Sequence, residues 1–392
     1  MMDLIKYILV VLLQIISMTG YTLTLSKDAK ISVMTCEPGN QLYSLFGHTA
    51  LRITDPAHKL DQVFNYGTFD FNTPNFYMKF AKGLLPYQFT NTKYKNFLRE
   101  YQHKQISVYS QTLLLDSVQR QRLMDLVIEN LLPQNKTYLY NYLYDNCSTR
   151  CRDLVINAVD ADVFWNMEEE SKSFWNLLDE YLNVQPWSQW GIHTILGQDG
   201  TQQAKTYEYM FLPDYLLKGL KTAAVNNRLL ASKPETIYKA PQRENDNRWY
   251  FVPLFVFSVF AMIVLALNYF THSVKVLNIS LSFLLIATGI VGCLIIFLGF
   301  FTLHPLTFPN WNIMWANPLN LLVGFFVFSS KAIQVVRYYL LINIVILGLA
   351  LLLWPILFPA VPIASVVLII MLMCVYWLKY YCPHDSRSRL RY

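Results

Sequence analysis

Tyr144-Asp145-Asn146-Cys147-Ser148-Thr149-Arg150 sets a cysteine directly after two good helix-capping residues, with an amphipathic run of Leu154, Val155 and Ala158 beyond it. Asp and Asn side chains accept hydrogen bonds from the free N–H groups of a first helical turn, so a helix is expected to begin at Cys147. A thiol in that place feels the positive end of the helix dipole, which lowers its pKa and favours the thiolate. Its natural partner lies in Leu42-Tyr43-Ser44-Leu45-Phe46-Gly47-His48-Thr49. His48 opens the alternating segment His48-Thr49-Ala50-Leu51-Arg52-Ile53, which reads as a half-buried strand with the imidazole at its start, where it can face a cleft. The two stretches are expected to meet as a cysteine nucleophile and its base. The plainer alternative is a small buried cysteine and a structural histidine, each commoner than a catalytic pair.

Around these stretches, Ile31 to Cys36, His48 to Thr54, Gln62 to Thr68 and Gln105 to Leu113 have strand character. Ser117 to Leu132 reads as a helix, and Lys136 to Tyr144 as a further strand before the Cys147 helix. Pro56, the Asn72-Thr73-Pro74-Asn75 cluster and Pro86 mark loops, with a short helix over Phe76 to Lys82. The expected fold is an α+β domain over residues 24–232, and a polar, proline-bearing linker over 233–248 leads away from it.

Beyond the linker, composition points to a membrane. With 54% hydrophobic and only 15% charged residues in 392, the chain is too apolar for an ordinary soluble protein. After Arg248 come long uncharged segments near the ~20 residues a spanning helix needs. Five spans are expected over 249–378: Trp249 to Phe270, Val276 to Phe301, Trp311 to Phe328, Tyr338 to Phe358 and Val361 to Leu378. Asn317, Pro318 and Asn320 interrupt the third. Lys275, Lys331, Arg337 and the tail 379–392, with Lys379, Arg387, Arg389 and Arg391, mark one side as cytoplasmic. The loops Thr302 to Asn310 and Pro359-Ala360, free of Lys and Arg, then lie outside. At the other end, residues 1–23 carry Lys6 ahead of an uncharged run and read as a signal peptide or uncleaved anchor, with no convincing cleavage site. Both signals put the 24–232 domain outside the cytoplasm. The net charge of +6 matches the cationic tail, and the absence of any basic-aromatic repeat argues against a nucleic-acid partner.

Cys36, Cys147 and Cys151 fall on the exported side, an odd number that leaves at least one thiol free. A Cys36–Cys151 bridge is the preferred pairing if one forms, against the plainer reading of packed thiols. His48, His58, His103 and His193 have no ligand spacing, so no metal is expected, and no other cofactor. Two aromatic stretches, Pro186-Trp187-Ser188-Gln189-Trp190-Gly191-Ile192 and Met210-Phe211-Leu212-Pro213-Asp214-Tyr215, are expected to rest on the bilayer or line an acyl-chain groove, with core packing as the commoner explanation. Trp187, Trp311 and Asn312 are the candidate substrate-contacting residues. For Asn312, Asn317 and Asn320, contact with a lipid headgroup or the exported domain stands against simple bonding between helices.

The chain resembles the Bacteroidota lipoprotein N-acyltransferase family of the Lnb type, in which an exported N-terminal domain precedes a multi-span membrane region. The resemblance spans nearly the whole chain and rests on Cys36-Glu37-Pro38-Gly39 with Leu45-Phe46-Gly47-His48-Thr49, on Tyr144 to Arg150, on Pro186-Trp187 with Gly191-Ile192, and on Met210 to Tyr215. The histidine-before-cysteine order is also similar to circularly permuted papain-like domains, including relatives of lecithin:retinol acyltransferase and cell-wall amidases of the NlpC type. That likeness implies a cysteine opening a helix on a small antiparallel sheet, a histidine from a strand, and a polar residue on the next strand that orients the imidazole. By position this is Asn65, where relatives often carry a second histidine. The family resemblance implies transfer of a fatty acyl chain from a membrane phospholipid to the N-terminal cysteine amine of a diacylated lipoprotein, through a thioester on Cys147. The competing readings are a periplasmic NlpC-type amidase or peptidase using the same pair, and a non-enzymatic scaffold or transporter.

The cation asymmetry predicts that an alkaline phosphatase fusion at Asn245 is active and one at Tyr392 is silent. Activity at Tyr392 alone would invert the topology.

Overall fold

The computed structural model describes residues 23–168, 170–241, 249–357 and 360–381. The expected signal or anchor segment apart from Leu23, residues 242–248 of the expected linker and residues 382–392 of the tail lie outside the described residues.

Strands β1 (Lys30–Cys36), β2 (His48–Asp55), β3 (Leu60–Thr68), β4 (Pro86–Lys93), β5 (Val108–Thr112) and β6 (Thr137–Leu139) belong to one sheet. After the small hairpin of β7 (Ala224–Val225) and β8 (Arg228–Leu229), β9 (Glu235–Tyr238) returns to complete it. The order is β6-β4-β3-β2-β1-β5-β9, antiparallel throughout. Three of these strands, β4, β9 and β6, differ from the sequence expectation. Pro86 opens β4 rather than marking a loop, which is tolerable because proline costs least at a strand's first residue. Glu235-Thr236-Ile237-Tyr238, expected as linker, pairs with β5, as the strand-favouring Thr-Ile-Tyr run allows. The expected strand up to Tyr144 stops at Leu139, because the Asn141 side chain accepts the N–H groups of Leu143 and Tyr144 and turns the chain.

Helix α1 (Phe76–Ala81) is short, α2 (Tyr94–His103) covers one face of the sheet through Phe97, and α3 (Ser117–Leu131) and α4 (Cys147–Val159) cover the other. Ile31, Val33, Leu51, Ile53 and Phe64 alternate onto that second face and pack with Leu123, Val127, Cys151, Leu154 and Val155. A third layer of α5 (Phe174–Leu182), α6 (Pro186–Ile195) and α7 (Pro213–Thr222) has its own core of Trp175, Leu178, Tyr181, Phe211 and Tyr215, closed by Leu45 and Leu143 from the two signature stretches.

Among the described residues of the membrane region, four helices are long and apolar enough to cross a bilayer: α8 (Pro253–Thr271), α9 (Val274–Phe301), α11 (Ile333–Leu357) and α12 (Ile363–Tyr381). Where the sequence predicts a third span at Trp311 to Phe328, the chain makes a 3-10 turn over Trp311–Met314 and an eight-residue helix α10 (Leu319–Phe326). The cause is Asn317-Pro318: proline supplies no N–H, and the Asn317 side chain takes the N–H of Leu319. This broken segment descends antiparallel to α9. A side-chain carbon on Gly292 would sit 2.0 Å from the Ala316 carbonyl oxygen, and one on Gly289 2.1 Å from the Leu321 nitrogen, while Ser282 Oγ donates to the Gly324 carbonyl at 2.8 Å. Glycine at 289 and 292 is what lets the two backbones touch. The non-helical stretch survives at this depth because it is buried in protein and bonded. Asn320 Nδ2 donates to Thr288 Oγ1 at 2.9 Å, and Tyr339 Oη donates to Asn320 Oδ1. At the far end, Lys379 Nζ donates to Asn278 Oδ1 at 2.7 Å and Arg337 to the Tyr380 carbonyl, gathering the starts of α9 and α11 with the end of α12.

At the near end, the α9–α10 loop seats the sheet domain. Leu303 N donates to the Lys82 carbonyl at 3.0 Å, Gly197 N to the Leu306 carbonyl at 2.6 Å, and Asn310 Nδ2 to the carbonyls of Thr194 and Leu196. Gly289→Ala is expected to cost about 1–3 kcal/mol by overpacking, seen as a lowered thermal midpoint in detergent. Gly348→Ala, whose new methyl meets only Met373 Cε at 3.9 Å, is the neutral control. Equal midpoints for the two variants would remove the close-packing account.

Candidate active site

Asn146 is the N-cap of α4. Its Oδ1 accepts from Ser148 N at 2.8 Å and Thr149 N at 3.0 Å, and Thr149 Oγ1 accepts the Asn146 N–H in return. Its Nδ2 donates to the carbonyls of Tyr142 at 2.7 Å and Phe211 at 2.9 Å, which ties the start of α4 to the third layer. Beside it, Arg150 and Asp145 form a two-pronged ion pair, and the guanidinium lies 3.6 Å over the Tyr138 ring. Cys147 is therefore the first residue of a fully capped helix, 8% exposed, and its N–H stays outside the capping bonds.

His48 begins β2, as expected. The register pairs Ala50 with Asn65, which puts His48 and Asn65 diagonally across two strands on one face. His48 Nε2 and Asn65 Oδ1 are 3.2 Å apart. The amide nitrogen of Asn65 faces the Val63 carbonyl, so the amide oxygen is the acceptor and Nε2 carries the proton. Nδ1 is then the nitrogen left for Cys147. Burial by itself would raise the Cys147 thiol, but the charge and hydrogen bond of His48, with the N–H groups of Thr49 and Ser148 aimed at the sulfur, bring it below an ordinary thiol. Burial by itself would lower the imidazole, but the Cys147 charge, its hydrogen bond and the bond to Asn65 raise it. Each group is thus shifted toward its charged form, the thiol toward thiolate and the ring toward imidazolium.

The other thiols behave differently. Cys36 and Cys151 are free, fully buried and pushed up by burial. They are the packed thiols of the plainer reading, and the alternative Cys36–Cys151 bridge is not formed.

Cys147, His48 and Asn65 come together, while the three other candidates lie apart from them at the seam between domain and bundle. Trp187, near the start of α6, donates from Nε1 to the Phe251 carbonyl at 2.7 Å and packs edge-on against Phe257. Trp311 Nε1 donates to Gln198 Oε1 at 2.7 Å. Asn312 is fully buried, donating to Asn310 Oδ1 and the Ala360 carbonyl and accepting from Trp315 Nε1. Its amide is wholly engaged by the bundle. Sequence reasoning missed the wall of the site: Tyr138 and Tyr140 both stand within electrostatic reach of Cys147, and Thr49 contributes its N–H. A signal was present in the tyrosines at every second position from Tyr138 to Tyr144.

The pair makes a pH prediction. Iodoacetamide alkylation of Cys147, tracked peptide by peptide, should show a midpoint below that of an ordinary thiol, and His48→Ala should move it upward because burial then acts unopposed. Cys36 and Cys151 should stay unmodified in the folded protein. An unchanged midpoint in His48→Ala would break the pairing.

Comparison with known families covers both halves of the chain. Residues 22–179 match the Lnb N-terminal periplasmic domain, and residues 244–385 match the Lnb transmembrane domain. No curated protein and no solved structure matches the chain. With a periplasmic domain holding Cys147, His48 and Asn65 ahead of a membrane region seated beneath it, the chain belongs to the Lnb family.

Proposed function

We propose that this protein is a membrane acyltransferase that moves a fatty acyl chain from a phospholipid to the N-terminal cysteine amine of a diacylated lipoprotein. The observation that carries the reading is the capped-helix Cys147 beside His48, in a domain bonded directly to the outer ends of membrane helices. A soluble substrate would need no such seat, whereas two substrates that live in the bilayer do.

In the first half-reaction the Cys147 thiolate attacks the donor's ester carbonyl. The oxyanion meets the Cys147 N–H, the one donor of the first turn outside the cap. As the tetrahedral intermediate collapses, the C–O bond breaks, His48 gives its Nδ1 proton to the departing alkoxide, and a lysophospholipid leaves behind a thioester. In the second, the acceptor amine attacks the thioester carbonyl, His48 takes the amine's proton, and the C–S bond breaks to restore the thiolate beside imidazolium. Asn65 keeps the ring oriented through both. Trp187, Trp311 and Asn312 support the seat on which the substrates are presented.

Incubated with phospholipid alone, the protein should accumulate one acyl group on Cys147, because the acceptor needed for the second step is missing. Intact-mass measurement reads the adduct, which hydroxylamine should release and a diacylated lipopeptide should discharge with formation of a triacylated product. Cys147→Ser should form none, Cys151→Ser should form it normally, and His48→Ala should slow its formation by about 10²–10⁴-fold. No adduct, with cleavage of a peptidoglycan stem peptide instead, would replace this reading with the amidase one.

A further inference from the structure

The segment around α1 is apolar and uncovered. Phe71 is 68% exposed, Tyr77 82%, Met78 56% and Phe80 54%, and α1 buries none of its residues. Exposed apolar residues scattered singly are ordinary, but these are contiguous: Phe71 and Phe76 rings lie 5.0 Å apart, Phe69 and Phe76 5.9 Å, and Phe76 and Phe80 stack at 6.4 Å. A contiguous exposed apolar patch of this kind marks a surface that meets something apolar.

The cover is identified by what the segment is attached to. Leu303, just past the last turn of α9, donates its N–H to the Lys82 carbonyl at 3.0 Å, and His304 Nε2 meets the Phe80 carbonyl at 3.1 Å. Leu303 also lies against Gly83, which turns the chain with φ +68°. The patch is thus level with the end of a membrane-spanning helix whose own Phe300 and Phe301 are 60% and 66% exposed. Leu303, itself exposed, joins the two apolar surfaces, and Lys79 and Lys82 stand in the same segment, where their ammonium groups can rise to phosphate level while the stems stay among chains.

The patch also leads inward. Phe69 touches Tyr87 at 5.3 Å, Tyr87 stacks on Tyr140 at 4.5 Å, and Tyr140 is within electrostatic reach of Cys147. We propose that the Phe69–Phe80 segment is inserted among the acyl chains of the periplasmic leaflet and that the aromatic row Phe69, Tyr87 and Tyr140 is the route by which one chain reaches Cys147. The second half of this proposal rests on the acyl-transfer reading, and the first half does not.

The test uses the full chain in nanodiscs of phosphatidylethanolamine and phosphatidylglycerol, with a photo-crosslinking benzoylphenylalanine in place of Tyr77 or, as control, of Val118, which is 74% exposed on α3. Position 77 should yield adducts of phospholipid mass and position 118 should not. Equal yields, or a cross-linked dimer or other protein at position 77, would overturn the insertion. Because cross-linking needs no turnover, it decides the point even if Cys147 never acquires an acyl group. The double variant Tyr77→Ser, Met78→Ser should slow acylation of Cys147 from bilayer phospholipid by about tenfold or more, as expected for two apolar side chains withdrawn from lipid. It should leave acylation by a short-chain ester in micelles unchanged. An equal loss with both donors, in a protein of normal thermal midpoint, would overturn the route.

Discussion

The amide of Asn146 is the constraint on which the site depends. One side chain closes the first turn of α4 from below and ties it to two carbonyls from opposite directions, Tyr142 behind and Phe211 across. The residue is 3% exposed, so each group it leaves unbonded would cost about 1–3 kcal/mol. Aspartate could accept at the helix end but would donate nothing to the carbonyls. Serine could cap but would not reach them. Only a side chain with both an acceptor and two donors sets the sulfur of Cys147 at a helix start and at a fixed place relative to the third layer, where Ser148 Oγ adds a further bond to the Met210 carbonyl.

A second constraint comes from the neighbouring bilayer. The sheet domain is held at a constant height over the bundle, and hydrogen bonds between backbones do this better than side-chain contacts, because they have no rotamers to lose. The seam has several: Leu303 to Lys82, Gly197 to Leu306 and Gln198 to Pro309. Asn310 adds two side-chain bonds, and Trp190 Nε1 reaches Ser365 Oγ at the start of α12. Within the bundle the same logic appears in the broken segment. Its Asn312 and Asn320 would be expensive in hydrocarbon, and each is fully occupied by partners inside the protein. Lys379 is a similar case. It reads as the first residue of a soluble tail, yet it lies in the last turn of α12, 2% exposed, with its ammonium on Asn278.

What could be read from sequence was what local signals carry. The cap before Cys147 and the strand opening at His48 are local signals, whereas Asn65 was implied only by the likeness to permuted papain-like domains, and the structure brings the three side chains together. Long apolar runs likewise announced five spans, four of which are long helices among the described residues. The broken passage was visible in Asn317 and Pro318, but whether such a run stays helical is settled by a neighbour, and Gly289 and Gly292 on α9 are that neighbour. Trp187, Trp311 and Asn312 have side chains suited equally to lipid contact and to seam bonds, and only tertiary placement separates the two. The exposure of Phe71, Tyr77 and Phe80 was hidden for the same reason: an aromatic run reads as core until the sheet is built and nothing covers it.

The electrical balance of the site explains why its third member is an amide. Thiolate and imidazolium together carry no net charge, so a buried pair is penalised far less than either ion alone, provided each has hydrogen bonds of its own. The sulfur has the N–H groups of Thr49 and Ser148, and the ring has the Asn65 oxygen. A carboxylate at position 65 would raise the imidazole further and leave a net negative charge beside the tyrosines, in a site where Tyr138 and Tyr140 already resist ionisation because they are buried. It would also hold the proton on His48 more firmly. A neutral acceptor fixes the ring's orientation and tautomer and holds the proton less tightly than a carboxylate would.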